Sequence, residues 1–436
     1  AIRLHSICLN ICKITLGDSH PYIGTLLHNI AMSYDKQGKY PKALDFYSQA
    51  LNIRKHLLGD IHPDVANTLN GMGATYANQA NYKKALEYFF EALSIKNQSS
   101  GDMDESNILS NMASVFFEQS KYKEALDYSF KALDIKKQLF GDSHLELSDT
   151  LNNIGNMYQV QSKYEDALKY YNQALDIKKH FLSNTHPNIA SVLIGIATVY
   201  CHQNKNTEAL NIYNQALLIT KEALGDSHIQ VALVLNNIGE FYRNQSNHDE
   251  ALNFYSQSLS IKKNTFEQPH VTIAQTLHNI ACVYSSQAKY IQALDFYNQA
   301  LSIYKQVLGN SHPHIAQTLN NIGSLFCYQG DYEEALNFYN QALSMQKQFF
   351  GDSHPTIAQT LNNIGNSYLN QSKYQEALGF YNQALSIYRQ FFQDSDLQII
   401  EISNNIAAVQ LYQGKHKEAL NYLQQFITPQ HNTNSH

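Results

Sequence analysis

The sequence predicts an all-α protein, a right-handed α–α superhelix built from about ten helical hairpins. Three observations predict this fold. One segment recurs along the chain at a nearly constant interval, each recurrence contains two stretches with helical spacing of apolar residues, and small residues occupy fixed positions in both stretches. A fixed interval of roughly 20–50 residues is typical of stacked arrays, in which each repeat buries its apolar face against its neighbours.

The interval is 42 residues, because the pair Ala-Leu recurs ten times and every step is 42 residues except one of 40. The ten pairs begin at Ala43, Ala85, Ala125, Ala167, Ala209, Ala251, Ala293, Ala335, Ala377 and Ala419. We therefore predict ten tandem repeats over residues 20–427, forming one continuous solenoid. Residues 1–19 align with the second half of a repeat, which predicts a truncated first repeat and a fragment of a longer protein. Residues 428–436 are predicted to be a disordered polar tail.

Each repeat is predicted to contain two helices, A and B, joined by a tight turn. In the fourth repeat, Leu147, Leu151 and Ile154 follow helical spacing, the pattern breaks at Ser162, and a second stripe starts at Tyr164. The position of the break is glycine in other repeats, as at 38, 330 and 414, which indicates a turn.

The connection between repeats reads Gly-Asp-Ser-His-Pro in its fullest form, at 351–355. Glycine is expected to end helix B in a conformation with positive φ. Aspartate or serine is expected to accept hydrogen bonds from the free amides of the next helix A. Proline suits the first turn of that helix, where its missing N–H costs nothing.

Small residues recur in both helices, which predicts a close approach of A to B with large residues filling the adjoining space. The helix A positions are Ala31, Gly73, Ala113, Gly155, Ala197, Gly239, Ala281, Gly323, Gly365 and Ala407. This pattern resembles the tetratricopeptide repeat (TPR), and its 42-residue form resembles the repeats of kinesin light chains. The segments LGNSHPHIAQTLNNIG (308–323) and QGDYEEALNFYNQALSM (329–345) carry the resemblance. It implies a TPR solenoid that works as a non-catalytic adaptor.

Composition disfavours several classes of function. The net charge is −6, from 31 Lys+Arg against 37 Asp+Glu, whereas nucleic acids and acidic membranes attract basic surfaces. No apolar run approaches the ~18 residues of a membrane-spanning helix. The five cysteines are odd in number and follow no zinc spacing. We therefore expect a cytoplasmic protein with no nucleic-acid or membrane partner, no metal and no cofactor.

Two histidine-containing patterns contain residue types that occur in catalytic or metal sites. Gly-Asp-Ser-His occurs four times, but nucleophilic hydrolysis needs one activated serine in one place, so the repeated motif is interpreted as a helix cap. Histidine recurs at the same position in eight repeats. Equivalent helices lie about 10 Å apart, whereas zinc ligands lie about 2 Å from the metal. We therefore interpret these histidines as turn-stabilising residues and expect no enzymatic activity.

An asparagine pair in helix A is the strongest functional candidate. Its second position is Asn in eight repeats: Asn29, Asn111, Asn153, Asn237, Asn279, Asn321, Asn363 and Asn405. Its first position is Asn70, Asn152, Asn236, Asn320, Asn362 or Asn404, with His28 and His278 as variants. Asparagine is a poor helix-interior residue, and its carboxamide offers donors and an acceptor that can bind a peptide backbone. The alternative is a bond to the neighbouring repeat that supports the stack, and one ladder can serve both roles.

Helix A is expected to line the concave face, and the asparagine pairs are interrupted in the fifth repeat by Ile194-Gly195. We therefore predict a nearly uncharged peptide groove that is most continuous over the sixth to ninth repeats. The predicted peptide-binding residues are Asn152, Asn153, Asn236, Asn237, Glu240, Arg243, His278, Asn279, Gln317, Asn320, Asn321, Gln359, Asn362, Asn363 and Asn366, with Asn244 and Asn370 nearby.

The predicted function is a non-catalytic scaffold that binds extended peptide segments of partner proteins. By resemblance, it is a kinesin-light-chain-like cargo adaptor, and a kinesin motor complex is a partner by analogy alone. One alternative is the TPR sensor arm of a larger signalling protein, such as a STAND-type ATPase, with its catalytic domain outside this chain. Another is a purely structural spacer.

Overall fold

The computed structural model describes residues 2–17, 20–96, 102–266, 269–392 and 396–427, and no β-strand occurs among them. The predicted tail at 428–436 lies outside this part of the chain. The helices are α1 Ile2–Leu16, α2 Pro21–Asp35, α3 Tyr40–Leu58, α4 Pro63–Asn78, α5 Tyr82–Lys96, α6 Asp102–Glu118, α7 Tyr122–Phe140, α8 Leu145–Val160, α9 Tyr164–Phe181, α10 Ala190–His202, α11 Asn206–Leu224, α12 Ile229–Asn244, α13 His248–Thr265, α14 Val271–Ser286, α15 Tyr290–Leu308, α16 Pro313–Gln329, α17 Tyr332–Phe350, α18 Pro355–Asn370, α19 Tyr374–Tyr388, α20 Leu397–Tyr412 and α21 His416–Ile427. A 3₁₀ turn, Pro187–Ile189, precedes α10.

The chain forms two compact units. The N-terminal unit comprises Ala1–Lys289 and Ser302–Leu308, and the C-terminal unit comprises Tyr290–Leu301 and Gly309–His436. In the N-terminal unit the hairpins are α2–α3, α4–α5, α6–α7, α8–α9, α10–α11 and α12–α13, and in the C-terminal unit they are α16–α17, α18–α19 and α20–α21. Within each unit, helix B of one hairpin packs on helix A of the next. The predicted fold class, a TPR-type α–α solenoid, is confirmed.

Successive A helices contact one another in both units, for example α10 with α12 and α16 with α18. Successive B helices make no comparable contact in the described part of the chain. The A helices of each unit therefore lie on its more crowded, inner side, which is the side that solenoids use for binding.

The helix caps differ from the prediction. Histidine, rather than aspartate or serine, caps the A helices: its Nδ1 accepts a hydrogen bond from the backbone N–H two residues later, at 3.2 Å for His20 and 3.1 Å for His62. The same bond forms at His144, His186, His228, His270, His312 and His354. The histidine holds the extended backbone of an N-cap, and Nδ1 occupies the place of an aspartate oxygen. Asp142 and Asp352 instead form ion pairs with Lys137 and Lys347 of the preceding helix B.

Positive φ recurs at both kinds of turn, although α9 and α13 end at Leu182 and Phe266 with extended backbone. Gly59 ends α3 with φ 85° and ψ 167°, a region that only glycine occupies readily. Between helices A and B the turn residue is left-handed even where it is not glycine, with φ 55–59°. These residues are Ala80, Ser120, Ser162, Asn204, Ser246, Ala288 and Ser372.

The small residues of helix A leave room for one large ring from helix B. At Gly365 a Cβ would lie 2.5 Å from Cε1 of Tyr381, and at Gly155 it would lie 2.7 Å from the Tyr171 ring. Both tyrosines are fully buried. The predicted close approach is therefore present, and helix A packs directly on the tyrosine ring of helix B in the same repeat.

Candidate functional site

The first position of the asparagine pair is buried beneath the inner face in the seventh to ninth repeats, whereas it is half-buried at Asn152 and Asn236 and exposed at Asn404. His278, Asn320 and Asn362 are 8%, 5% and 6% exposed. The second position lies nearer the surface: Asn363 is half-buried and Asn153 is exposed. Asn236, Asn237, Asn279 and Asn321 are half-buried as well.

Hydrogen bonds between successive repeats join the two positions. In the C-terminal unit, Asn405 Nδ2 donates to Asn362 Oδ1 at 2.9 Å, and Asn363 Nδ2 donates to Asn320 Oδ1 at 3.4 Å. In the N-terminal unit, Asn111 donates to the equivalent Asn70 at 2.9 Å. The second asparagine of one repeat thus binds the first asparagine of the repeat before it. The stack-supporting role is present for these pairs.

Other carboxamides on the A helices are not used in this way. Gln317, Gln359 and Asn153 are exposed, and Asn279 is half-buried. Their side chains form no hydrogen bond with any other residue that the structure describes. Gln317 and Gln359 occupy the same position in successive repeats of the C-terminal unit. These side chains have both donor and acceptor capacity to offer to a ligand.

The ladder is interrupted where glycine replaces the second asparagine, and a tyrosine ring fills the space that its side chain would take. A Cβ at Gly71 or Gly195 would lie 2.7 Å from the tyrosine ring of the preceding helix B, Tyr47 or Tyr171. The residue at the first position of the preceding repeat then has no asparagine to donate a hydrogen bond to its side chain. Asn152 Oδ1 is buried without a partner among the described residues.

His28 occupies the same position in the repeat before Gly71. Its Nδ1 is likewise buried and has no hydrogen-bond partner among the described residues. Burial, and then the positive charge of Arg54, lowers the pKa of His28 to about 4. The imidazole is therefore neutral at physiological pH, and it packs edge-on against the Tyr47 ring.

Glu240, Arg243 and Tyr255 form one cluster in the N-terminal unit. The Tyr255 hydroxyl donates to Glu240 Oε2 at 2.9 Å, and Arg243 forms an ion pair with the same carboxylate. The charges of the two predicted groove residues therefore largely cancel. The carboxamide of Asn366 likewise accepts a hydrogen bond from Tyr381, at 2.6 Å, so it helps to hold α18 against α19.

A set of buried polar groups on the B helices was not predicted from the sequence. Lys262 is 2% exposed and donates to Thr276 Oγ1 at 2.7 Å, and burial lowers its pKa to about 8. The Thr276 hydroxyl lies 3.1 Å from the Thr272 carbonyl oxygen and 3.3 Å from Asn236 Oδ1, so this lysine lies directly behind the inner face. The equivalent partnerships are Arg54 with Thr68, Lys136 with Thr150 and Gln346 with Thr360. The signal in the sequence is a threonine that follows the helix B group by 14 residues.

No group of three or more His, Cys, Asp or Glu residues within the described ranges is placed to hold a metal ion. Among the described helices, none combines the length and apolar character needed to cross a membrane.

The hairpins, their stacking and the polar inner face define the class of protein as an α-helical repeat solenoid. Models of the Tetratricopeptide repeat match residues 1–56, 104–180, 188–264, 230–306, 272–348 and 356–428, and further models of this repeat match 321–390 and 65–103. The chain belongs to the tetratricopeptide repeat family. Solenoids of this family typically act as non-catalytic scaffolds for protein interactions.

Two solved structures are similar to the chain at low sequence identity. The nearly identical TPR-like repeats of a Podosopora anserina protein assigned as a kinesin light chain are 18% identical, covering 46% of this chain and 95% of that one, with a TM-score of 0.39. A Rap protein complexed with Competence and Sporulation Factor is 14% identical, covering 85% of this chain and 99% of that one, with a TM-score of 0.56. The second likeness shows a shared fold. No curated protein sequence matches the chain significantly.

Proposed function

We propose that this chain is a scaffold that binds extended peptide segments of partner proteins along the A helices. The observation that carries the proposal is the recurrence of unpaired, exposed carboxamides at one helical position, Gln317 and Gln359, above a layer of asparagines that bond to each other. The lower layer fixes the spacing of the repeats, and the upper layer is available to a ligand.

The spacing suits an extended chain. Packed helices lie about 8–10 Å apart, and an extended peptide advances about 3.3 Å per residue. A peptide that crosses successive A helices would therefore meet one carboxamide about every three residues. Each carboxamide can donate to a peptide carbonyl and accept from a peptide N–H, which reads the backbone rather than a particular side chain.

The charge balance sets the expected class of peptide. Glu240 is paired with Arg243, and Asp149 is paired with Lys178 at 2.8 Å. Both ion pairs lie on or beside A helices. Because the charges within each pair cancel, neither creates a strong net electrostatic field there. We therefore infer that the bound segments are polar and close to neutral, with affinities that depend weakly on salt.

A kinesin-light-chain-like adaptor role is the finer form of this proposal, and it rests on the 42-residue repeat pattern. An attachment to a motor would require a coiled coil in the full-length protein. Heptads encoded upstream would favour the motor adaptor, whereas a phosphate-binding Gly-x-x-x-x-Gly-Lys-Ser/Thr loop would favour the ATPase sensor.

The test is selection of random peptides displayed against the whole chain, followed by affinity measurement on the double variant Gln317→Ala, Gln359→Ala. We expect about a tenfold loss of affinity, from two hydrogen bonds of about 0.5–1.5 kcal/mol each, with unchanged thermal stability. The matched control is Gln341→Ala with Gln383→Ala, which removes two exposed glutamines of α17 and α19 at the same 42-residue spacing. An equal loss in the control, or no selected peptide, would contradict the proposal.

A further inference from the structure

The turn between α2 and α3 in the first repeat touches the seventh repeat, which lies six repeats further along the chain. A Cβ at Gly38 would lie only 3.0 Å from Cγ1 of Val307, near the C-terminal end of α15. Both residues belong to the N-terminal unit, which includes the end of α15, Ser302–Leu308. In a solenoid each repeat ordinarily contacts only its neighbours. This contact instead joins the first and the last of seven successive repeats.

A second contact joins the same two repeats through His270, the N-cap of α14. Its Nδ1 accepts a hydrogen bond from the Thr272 backbone N–H. Burial lowers the pKa of His270, and a hydrogen bond with the backbone of Lys36 opposes that shift. Only a bond in which the ring donates favours the protonated imidazole, and Nδ1 already serves as an acceptor, so Nε2 donates to the Lys36 carbonyl. One neutral imidazole thus binds its own helix and the first repeat.

The exposure of the A–B turns shows that this edge of the array is covered at its N-terminal end. Gly38 is half-buried, and Ala80 and Ser120, at the same position in the second and third repeats, are 3% and 8% exposed. The residues at this position in all later repeats are exposed: Ser162, Asn204, Ser246, Ala288, Gly330, Ser372 and Gly414. For Gly38 the covering neighbour is Val307.

We propose that the contact of Lys36 and Gly38 with His270 and Val307 is a latch, which closes the first seven repeats into a fixed curve and opens to admit a protein segment to the inner face from the side. The latch comprises one imidazole hydrogen bond and one valine side chain, so it favours the closed arrangement on the order of tenfold to a hundredfold. Opening it unfolds no hairpin, because small shifts at six successive repeat interfaces add up.

The admitting role rests on the proposed peptide binding at the A helices, whereas the latch itself does not. In the closed arrangement the first turn lies directly against the seventh repeat, and an extended segment cannot pass between Gly38 and Val307. The inner face is then reached only by threading from an end of the array. Opening therefore limits the association rate, as it does in complexes whose binding requires a conformational change.

The latch is tested by cross-linking native lysines in the whole chain with a short amine-reactive reagent. Lys36 and Lys305 are both exposed and each lies two residues from the contact, so the closed arrangement should join them. Lys121 and Lys163, exposed in the A–B turns of two adjacent repeats, give an internal reference that does not depend on the latch.

Val307→Asp removes the apolar contact and should lower the yield of the Lys36–Lys305 cross-link at least about threefold relative to the reference. The matched control is Leu139→Asp, which places the same charge at the same helix B position in the third repeat and should leave that yield unchanged. A wild-type chain without the Lys36–Lys305 cross-link, or an undiminished yield in Val307→Asp, would overturn the latch.

A disulfide tests the admitting role from the opposite direction. The 3.0 Å between a Gly38 Cβ and Val307 Cγ1 matches the separation of about 3 Å between a Cβ and the far sulfur of a disulfide. Gly38→Cys with Val307→Cys should therefore lock the latch on oxidation and slow the association of a display-selected peptide at least about tenfold. Reduction should restore the rate. The wild-type chain under the same two conditions controls for the five native cysteines.

The two experiments separate this inference from the proposed function. If the disulfide forms and peptide association keeps its rate, the admitting role fails while peptide binding stands. If no peptide binds either form, although Val307→Asp diminishes the Lys36–Lys305 cross-link, the proposed function fails and the latch stands.

Discussion

Replacing the buried Lys262 with methionine should stabilise the N-terminal unit at neutral pH. The ammonium group is 2% exposed, and its one hydrogen bond in the described structure is to Thr276 Oγ1. Burial lowers the pKa from 10.5 to about 8. At about 1.4 kcal/mol for each pKa unit, keeping this lysine charged costs about 3 kcal/mol at pH 7. Loss of the threonine hydrogen bond offsets about 1 kcal/mol, so we expect Lys262→Met to add about 2 kcal/mol.

The change of stability with pH independently tests whether the buried Lys262 destabilises the fold. Because the folded pKa lies below the unfolded value, the destabilisation is fully present below pH 8 and is relieved as pH rises toward 10.5. Over this pH range, the protection of backbone amides from hydrogen exchange should therefore increase in the wild type relative to Lys262→Met. Long repeat arrays do not unfold in one step, so the assay is hydrogen exchange at the amides of α13 and α14.

The matched control is Lys263→Met, which removes an exposed lysine one position further along the same helix. It should change the free energy of local unfolding by less than about 0.5 kcal/mol. Lower protection in Lys262→Met at pH 7, or the same pH dependence as wild type, would refute the assignment of a charged lysine buried without a counterion.

Three further changes test the packing, the turns and the buried imidazole. Gly365→Ala should lower stability by up to about 2 kcal/mol, because the overlap with Tyr381 exceeds the gain in helix propensity; Gly379→Ala, which meets open space, should raise the melting temperature instead. Ser372→Gly should stabilise by about 0.5–1 kcal/mol, because it relieves a left-handed φ of 59°, and a lower urea midpoint would refute this account of the turn. The pKa of His28 lies below its unfolded value, so its contribution to stability is present above pH 6.5 and lost as pH falls toward about 4. His28→Gln should remove that part of the acid sensitivity, as measured by thermal denaturation at pH 7 and 4.5.

The repeat interval, the two helices and the small-residue packing could be predicted because each leaves a periodic signal in the sequence. The histidines were predicted to stabilise the turns, but the cap itself was assigned to Asp or Ser, which are stronger cap formers in isolation; only the backbone geometry shows that Nδ1 of His62 takes that place. Lys262 was missed because lysine normally marks a solvated surface.

The division of the carboxamides into two layers also required coordinates. Asn362 and Asn363 are adjacent in sequence, yet one is buried as an acceptor and the other lies nearer the surface as a donor. Neither residue type nor spacing distinguishes them. The exposed glutamines Gln317 and Gln359 were predicted site residues, and their contact with a peptide stays a prediction.

The most direct measurement of peptide recognition is the response of side-chain amide NMR signals when a display-selected peptide is added to the whole chain. Binding on the A helices predicts changes at Asn153, Asn279, Gln317 or Gln359, with the helix B amides of Gln341 and Gln383 unmoved. Shifts confined to the helix B amides, with those A-helix signals unchanged under saturating peptide, would contradict it.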